Sequence, residues 1–225
     1  SLRTMITVYH LKFSRCFRIL WLMEELGLEY ELETYERTPE GRADPALRNV
    51  HPLGRSPLVS VDGHLLAESG AIMEYFSDRE GQLRPTGAAE LHDYRYWMHY
   101  AEGSAMPPLL VERLIRMMRG GPMPFFVRPL SRKIAKTLDA AYLTDELRRH
   151  YGWIEQILGE REYFAGNEFS GADLQMAYPI QASLGIEALQ GRPHTTAWLD
   201  RVTRRPAYAK ALERGGQPLP GGVRR

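Results

Sequence analysis

Hydrophobic and polar positions change their rhythm partway along the chain. The first third sets short apolar runs around single amphipathic stretches. Met5-Ile6-Thr7-Val8 opens a strand that ends near Tyr9-His10. After the loop Lys12-Phe13-Ser14, the residues Ile19, Leu22, Met23 and Leu26 recur at helical spacing. That spacing predicts a helix over 15–26, stopped by Gly27. Tyr30 to Tyr35 alternates Tyr, Leu and Thr with Glu and reads as a second strand. Residues 38–49 are polar, with Pro39, Gly41 and Pro45, and hold at most a short irregular helix. Two further strands flank Asp62-Gly63, the strongest hairpin signal in the chain. A helix then runs from Ser69 through Ile72, Met73 and Phe76 to about Arg79. A strand-helix-strand crossover makes a parallel pair and the hairpin adds an antiparallel edge, so a small mixed sheet is expected.

Gly81 to Gly87 breaks this pattern and reads as a linker. Everything after it has helical periodicity. Leu91, Tyr94, Trp97, Met98, Ala101 and Ala105 share rows of a helix from Ala88 to about Met118, which Pro107-Pro108 should kink or break. A second long helix is expected over 129–158, with Ile134, Leu138, Leu147, Trp153, Ile154 and Ile157 as core. Ser170 and Asp173 have capping-box spacing before an apolar helix over 174–186. Shorter helices follow over 195–203 and 207–212. The organisation expected is an α/β domain at 5–81, a linker at 82–88, a helical domain at 89–213 and a mobile tail at 214–225.

Charge and composition narrow the partners. The net charge of +1 argues against nucleic acid, which needs a concentrated basic surface. No apolar run approaches the ~18 residues of a membrane span, and neither nucleic acid nor a membrane is expected as a partner. The lone Cys16 excludes an intrachain disulfide framework and fits a reducing compartment. No metal cluster is expected. One stretch does suggest a ligand. An X-Pro bond such as Ser56-Pro57 takes the cis form cheaply, and Pro57 must begin its strand or sit at an edge. A cis turn would hold the Ser56 backbone outward. Ser69 is a candidate N-cap, and a helix N-terminus attracts carboxylates. Free backbone groups beside a carboxylate-binding helix end suit a peptide-like ligand; a tight turn with an ordinary cap is the competing reading.

Four elements carry a family resemblance. They are Ser14-Arg15-Cys16-Phe17-Arg18, Pro52-Leu53-Gly54-Arg55-Ser56-Pro57, Glu68-Ser69-Gly70-Ala71-Ile72, and Phe164-Ala165-Gly166 with Ser170-Gly171-Ala172-Asp173. In this order and spacing the chain resembles the cytosolic glutathione transferases, in wording closest to a serine-type bacterial and fungal branch. The resemblance implies a thioredoxin-like α/β N-terminal domain plus an all-α C-terminal domain, a homodimer, and a cytoplasmic enzyme with glutathione as co-substrate and no other cofactor. It implies that Ser14 donates a hydrogen bond to the glutathione thiolate. Arg55, Ser56 and Pro57 would form the turn that pairs with the cysteinyl backbone. Glu68 would receive the γ-glutamyl ammonium and Ser69 its carboxylate. A small apolar electrophile would lie between Lys12 and Phe13 on one side and Leu110, Arg113, Leu114 and Met117 on the other. Tyr9 and Cys16 are competing thiol activators; Tyr9 is read as strand packing and Cys16 as a small buried residue. Arg18 is read as a structural bridge. Tyr94, Tyr96, Trp97 and Tyr100 are read as core and dimer interface. A glutathione-dependent isomerase or peroxidase, and a non-catalytic binding module, are the alternatives on the same fold.

Overall fold

A computed structural model describes residues 4–220. The first domain is built on four strands, β1 (Ile6–Leu11), β2 (Glu31–Tyr35), β3 (Leu58–Val61) and β4 (His64–Ala67), in the order β2-β1-β3-β4. β1 and β2 run parallel with Val8 opposite Leu32, as the crossover through α1 (Phe17–Leu26) requires. β3 is antiparallel to β1, with Val8 opposite Val59, and to β4. The hairpin turn has both central residues at positive φ, Asp62 at 48° and Gly63 at 83°. That is the turn whose twist matches the strands. The Asp62 carboxylate also accepts the Met5 N–H at 2.9 Å, tying the turn to the start of β1. The ladder of β3 begins at Leu58, one residue after Pro57, so the proline costs it no donor. The Ser56-Pro57 peptide is cis. The weak helix expected over 38–49 is a single 3₁₀ turn, Pro45–Asn49.

α1 is buried nearly all round. Phe17, Ile19, Leu20, Trp21, Leu22 and Met23 are all buried. A helix of that kind must be covered on both faces. The sheet covers one face. The second domain covers the other, chiefly through α7 (Gly171–Ala182) and α9 (Pro206–Gly215). Tyr208 of α9 packs edge-on against Phe17 and Trp21, with ring centroids 5.2 and 4.8 Å apart. Arg205 clasps Glu25 through two bonds of 2.6 and 2.8 Å. His10 of β1 donates from Nε2 to the Gly215 carbonyl at 2.9 Å.

The helical domain corrects several expectations. The helix expected from Ala88 is α3 (Ala88–Tyr100), a π turn (Ala101–Ala105) and α4 (Met106–Gly120). The break at the Pro107-Pro108 pair takes the form of that π turn, and the prolines occupy the first turn of α4, where no intrahelical donor is needed. The second long helix is likewise divided into α5 (Arg128–Leu138), a π turn (Asp139–Leu143) and α6 (Thr144–Glu160), with no proline at the break. Leu147, Ile154 and Ile157 are core, but Ile134, Leu138 and Trp153 are 43%, 46% and 38% exposed. α5 meets α4 through small Ser131 and Ala135, leaving its larger side chains outside. Tyr94, Trp97 and Tyr100 are buried, whereas Tyr96 is 41% exposed. The Ser170–Asp173 capping box is present at the head of α7. Asp173 accepts from Phe164 N, Ser170 N, Ser170 Oγ and Trp198 Nε1 of α8 (Pro193–Thr203), so one carboxylate ties a loop and two helices together. The first two residues of the tail expected over 214–225 belong to α9. Gly215 closes α9 and is buried, and Pro218 beyond it is also buried. Residues 221–225 of that tail lie outside the described residues.

Candidate active site

The β1–α1 loop is shaped by its own side chains. Ser14 is 6% exposed. Its hydroxyl donates to the Leu11 carbonyl at 2.6 Å and accepts the Cys16 N–H at 3.1 Å. Ser14 therefore builds the turn that leads into α1, rather than capping the helix itself, whose N-cap is Cys16. Phe13 takes φ 54°. Arg37, just after β2, donates to the carbonyls of Lys12, Phe13 and Gly41 at 3.1, 2.7 and 3.0 Å. Lys12 itself pairs with Glu36. Cys16 is fully buried, its thiol donating to the Tyr9 carbonyl at 3.6 Å. Burial pushes that thiol up to about 12, which makes it inert. Tyr9 packs with Tyr35 against Leu11, Leu47 and Leu58, and burial raises its phenol above the ordinary value. Neither competitor resembles an activated donor.

The turn before Pro57 stands beside this loop. Ser56 Oγ donates to the Tyr9 carbonyl at 3.1 Å and accepts the Leu11 N–H at 3.3 Å. Its side chain thus continues the pairing with β1 where the β3 ladder stops. The Ser56 backbone N–H and C=O make no backbone hydrogen bond among the described residues. Within this turn, His51 Nδ1 accepts the Leu53 N–H at 3.3 Å. Arg55 is exposed.

The start of α2 (Ser69–Glu80) differs from the sequence expectation. Its N-cap is Glu68, at φ 71° and ψ 123°, and Ser69 is the first helical residue. Ser69 is 4% exposed, and its Oγ accepts from Arg18 Nη2 at 3.1 Å and from Gln175 Nε2 at 3.2 Å. Both lone pairs are used, so the hydroxyl proton is directed to another acceptor. The Glu68 carboxylate is exposed and has no partner among the described residues. Arg18 behind Ser69 is 1% exposed and also donates to the Gln175 carbonyl at 2.8 Å and to Glu102 Oε1 at 2.6 Å. The bridging reading of Arg18 is thus borne out, with partners 51, 84 and 157 residues away. Glu102 sits in the first π turn and also reaches Arg15 at 3.4 Å. The Tyr178 ring of α7 lies against both guanidinium groups, 5.9 Å from Arg15 and 5.4 Å from Arg18.

The electrophile-side residues are brought together in part. Leu110, Leu114 and Met117 lie on the exposed face of α4, 51–57% exposed. Arg113 of the same helix is close enough to Arg37 to help depress that guanidinium, after burial, and Tyr178 partly offsets the effect. Sequence reasoning missed Glu102, Gln175, Arg37 and Tyr178. The available signal was Arg18 itself, a cation inside an apolar helix that must find a counter-charge.

The turn before β3, a carboxylate without a partner among the described residues and the start of α2 belong to the α/β domain, and Ser69 joins them to the helical domain through Gln175. Residues 4–78 match the family model of the glutathione S-transferase N-terminal domain, and residues 122–206 that of the C-terminal domain. Glutathione S-transferase 1 of Saccharomyces cerevisiae is 35% identical over 221 residues, covering 93% of this chain and 94% of the yeast protein. The chain belongs to the glutathione S-transferase family. Glutathione S-transferase 3 of Schizosaccharomyces pombe is 37% identical over 215 residues, covering 93% of this chain and 88% of that protein. A glutathione S-transferase crystal structure from Actinobacillus pleuropneumoniae superposes with a TM-score of 0.76 at 28% identity, over 97% of this chain and 94% of the other. As a glutathione transferase, the protein combines the thioredoxin-like and all-helical domains of that fold.

Proposed function

We propose that this glutathione transferase is a cytoplasmic homodimer of the serine-type branch that conjugates glutathione to small apolar electrophiles. Residues 5–81 would hold glutathione and 89–213 would supply the electrophile's side, with 82–88 between them. The observation that carries the reading is the hydroxyl of Ser69, saturated by two donors, with its own proton directed to an outside acceptor. At the first turn of α2 that acceptor is the γ-glutamyl carboxylate, which the helix end also favours. Glu68 receives the ammonium. The Ser56 N–H and C=O pair with the cysteinyl backbone as an added strand does, with Arg55 and Pro57 flanking it. The tripeptide then lays its thiol toward Ser14, whose hydroxyl exchanges the Leu11 carbonyl for the thiolate. Lys12, Phe13, Leu110, Arg113, Leu114 and Met117 border the electrophile. No other cofactor enters the reaction.

The test is glutathione binding by calorimetry together with product mass after incubation with glutathione and an activated aryl halide. Ser69→Ala should weaken glutathione binding by about tenfold, the worth of one hydrogen bond to a charged group. Conjugate should form in the wild type. Tight binding without conjugate would leave a binding module or a glutathione-dependent isomerase or peroxidase in its place. Light scattering should return twice the 25.8 kDa chain mass.

A further inference from the structure

Residues 113–138 hold seven Lys and Arg and no Asp or Glu, in a chain whose net charge is +1; of the seven, Arg116 and Arg119 pair with Glu112 and Asp139, which flank the segment. The segment comprises the end of α4, the connection 121–127 and the whole of α5. Ser131 Oγ donates to the Met118 carbonyl at 2.7 Å and fastens the two helices as an antiparallel pair. α5 buries only Ser131 and Ala135. Leu130, Ile134 and Leu138 form an outward row, 60%, 43% and 46% exposed. Phe125 and Phe126 project from the connection, 80% and 71% exposed. Arg128, Arg132, Lys133 and Lys136 are exposed around that row, and Lys133 and Lys136 have no side-chain partner among the described residues. α5 is thus apolar on one outward face and basic beside it.

We propose that this helix-pair end docks on the surface of an anionic lipid bilayer, with Phe125 and Phe126 in the interfacial layer and the cations at the headgroups. Two neighbouring phenylalanines and an aliphatic row gain from leaving water only where an apolar phase receives them. Arg128, Arg132, Lys133 and Lys136, in no ion pair among the described residues, require that phase to be rimmed by negative charge. An anionic bilayer supplies both, and interfacial helices carry the same pairing of apolar and Lys/Arg faces. A nucleic acid would leave Leu130, Ile134 and Leu138 in water. Among the described residues no helix is long and apolar enough to cross a membrane, so the contact is peripheral. One such element without a lipid chain gives reversible, salt-sensitive attachment.

The experiment is co-sedimentation of the full chain with vesicles of phosphatidylcholine alone or with added phosphatidylserine. Binding is expected only to the phosphatidylserine vesicles and should weaken with salt. Each Lys near an anionic surface contributes roughly fivefold to partitioning, so Lys133→Ala with Lys136→Ala should lower it roughly 25-fold. Phe125→Ser with Phe126→Ser should abolish it and leave transferase activity and oligomeric mass unchanged, since neither ring is part of the core. Absence of binding to phosphatidylserine vesicles, or binding indifferent to both double variants, overturns the proposal. A changed oligomeric mass in the Phe variant also overturns it, by assigning the surface to a second copy of the chain.

Discussion

Replacing Ser14 with alanine isolates the hydroxyl proposed to hold the thiolate. That hydroxyl is already committed, donating to the Leu11 carbonyl at 2.6 Å. Serving a sulfur means giving up a neutral bond worth about 0.5–1.5 kcal/mol for a charged one worth about 1.5–3 kcal/mol. The exchange therefore contributes about 1–1.5 kcal/mol, or about one unit of thiol pKa. The first turn of α1 adds about 0.3–1 kcal/mol. Bound glutathione should ionise about one to two units below the ordinary thiol value, and Ser14→Ala should give back about one of them. The assay is the ultraviolet thiolate absorbance of bound glutathione across a pH titration, for wild type, Ser14→Ala and Ser14→Thr. The threonine variant keeps the hydroxyl and should titrate near the wild type. Ser14→Ala also removes two hydrogen bonds from a buried turn, which costs about 1–3 kcal/mol of stability and lowers the urea midpoint. Stability and titration separate the two roles. A lowered midpoint with an unmoved thiol titration would mean that Ser14 only builds the turn, and the activation argument would be refuted.

Arg18→Met leaves Glu102, Ser69 and the Gln175 carbonyl without their donor; with Glu102 still near Arg15, a loss of about 2–4 kcal/mol in urea unfolding is expected, along with weaker glutathione binding. His10 is buried, its Nδ1 has no protein partner among the described residues, and burial depresses its pKa, the Gly215 carbonyl and Glu36 working against that shift and Lys12 with it. The unfolded ring takes up a proton below about pH 6.5 and the folded ring resists it. The His10 contribution is therefore complete above that pH and falls away as the pH drops through the folded value; urea midpoints from pH 8 to 5 should show the decline, and His10→Gln, which keeps a donor for Gly215, should flatten it. Glu68 occupies a positive φ that side chains rarely adopt, so Glu68→Gly should match or exceed wild-type stability by up to about 1 kcal/mol while glutathione affinity falls. A simultaneous loss of stability would show that Glu68 has a structural partner.

Local chemistry was legible from the residues alone. The Asp62-Gly63 turn and the Ser170–Asp173 box each depend on a few adjacent positions, and both took the expected form. Ser69 was misplaced by one position because the cap is Glu68, whose backbone departs from the usual N-cap geometry. Ile134, Leu138 and Trp153 have faultless helical spacing, but spacing identifies a face and not what covers it. The roles of Glu102 and Gln175 arise from contacts that cross from the helical domain to α1, and no window along the chain contains both ends. Arg37 is similar: its fork serves carbonyls of a loop 24–25 residues earlier. The first π turn was announced by Pro107-Pro108, whereas the second, at Asp139–Leu143, has no local marker.

The tie between β1 and the last helix bears on how the chain is made. α1 is covered by α9, and His10 bonds to Gly215, 205 positions later. At synthesis rates of about 5–20 residues per second, the interval between those two residues is on the order of 10–40 s. For most of it, Phe17 and Trp21 have been made but Tyr208, their edge-on partner, has not. The α/β unit therefore waits on the ribosome with an apolar helix face uncovered, although its own sheet is complete. A chain stopped before residue 206 would keep that face open permanently and be a substrate for chaperones and proteases, so the two domains are separate in architecture but joined in biogenesis.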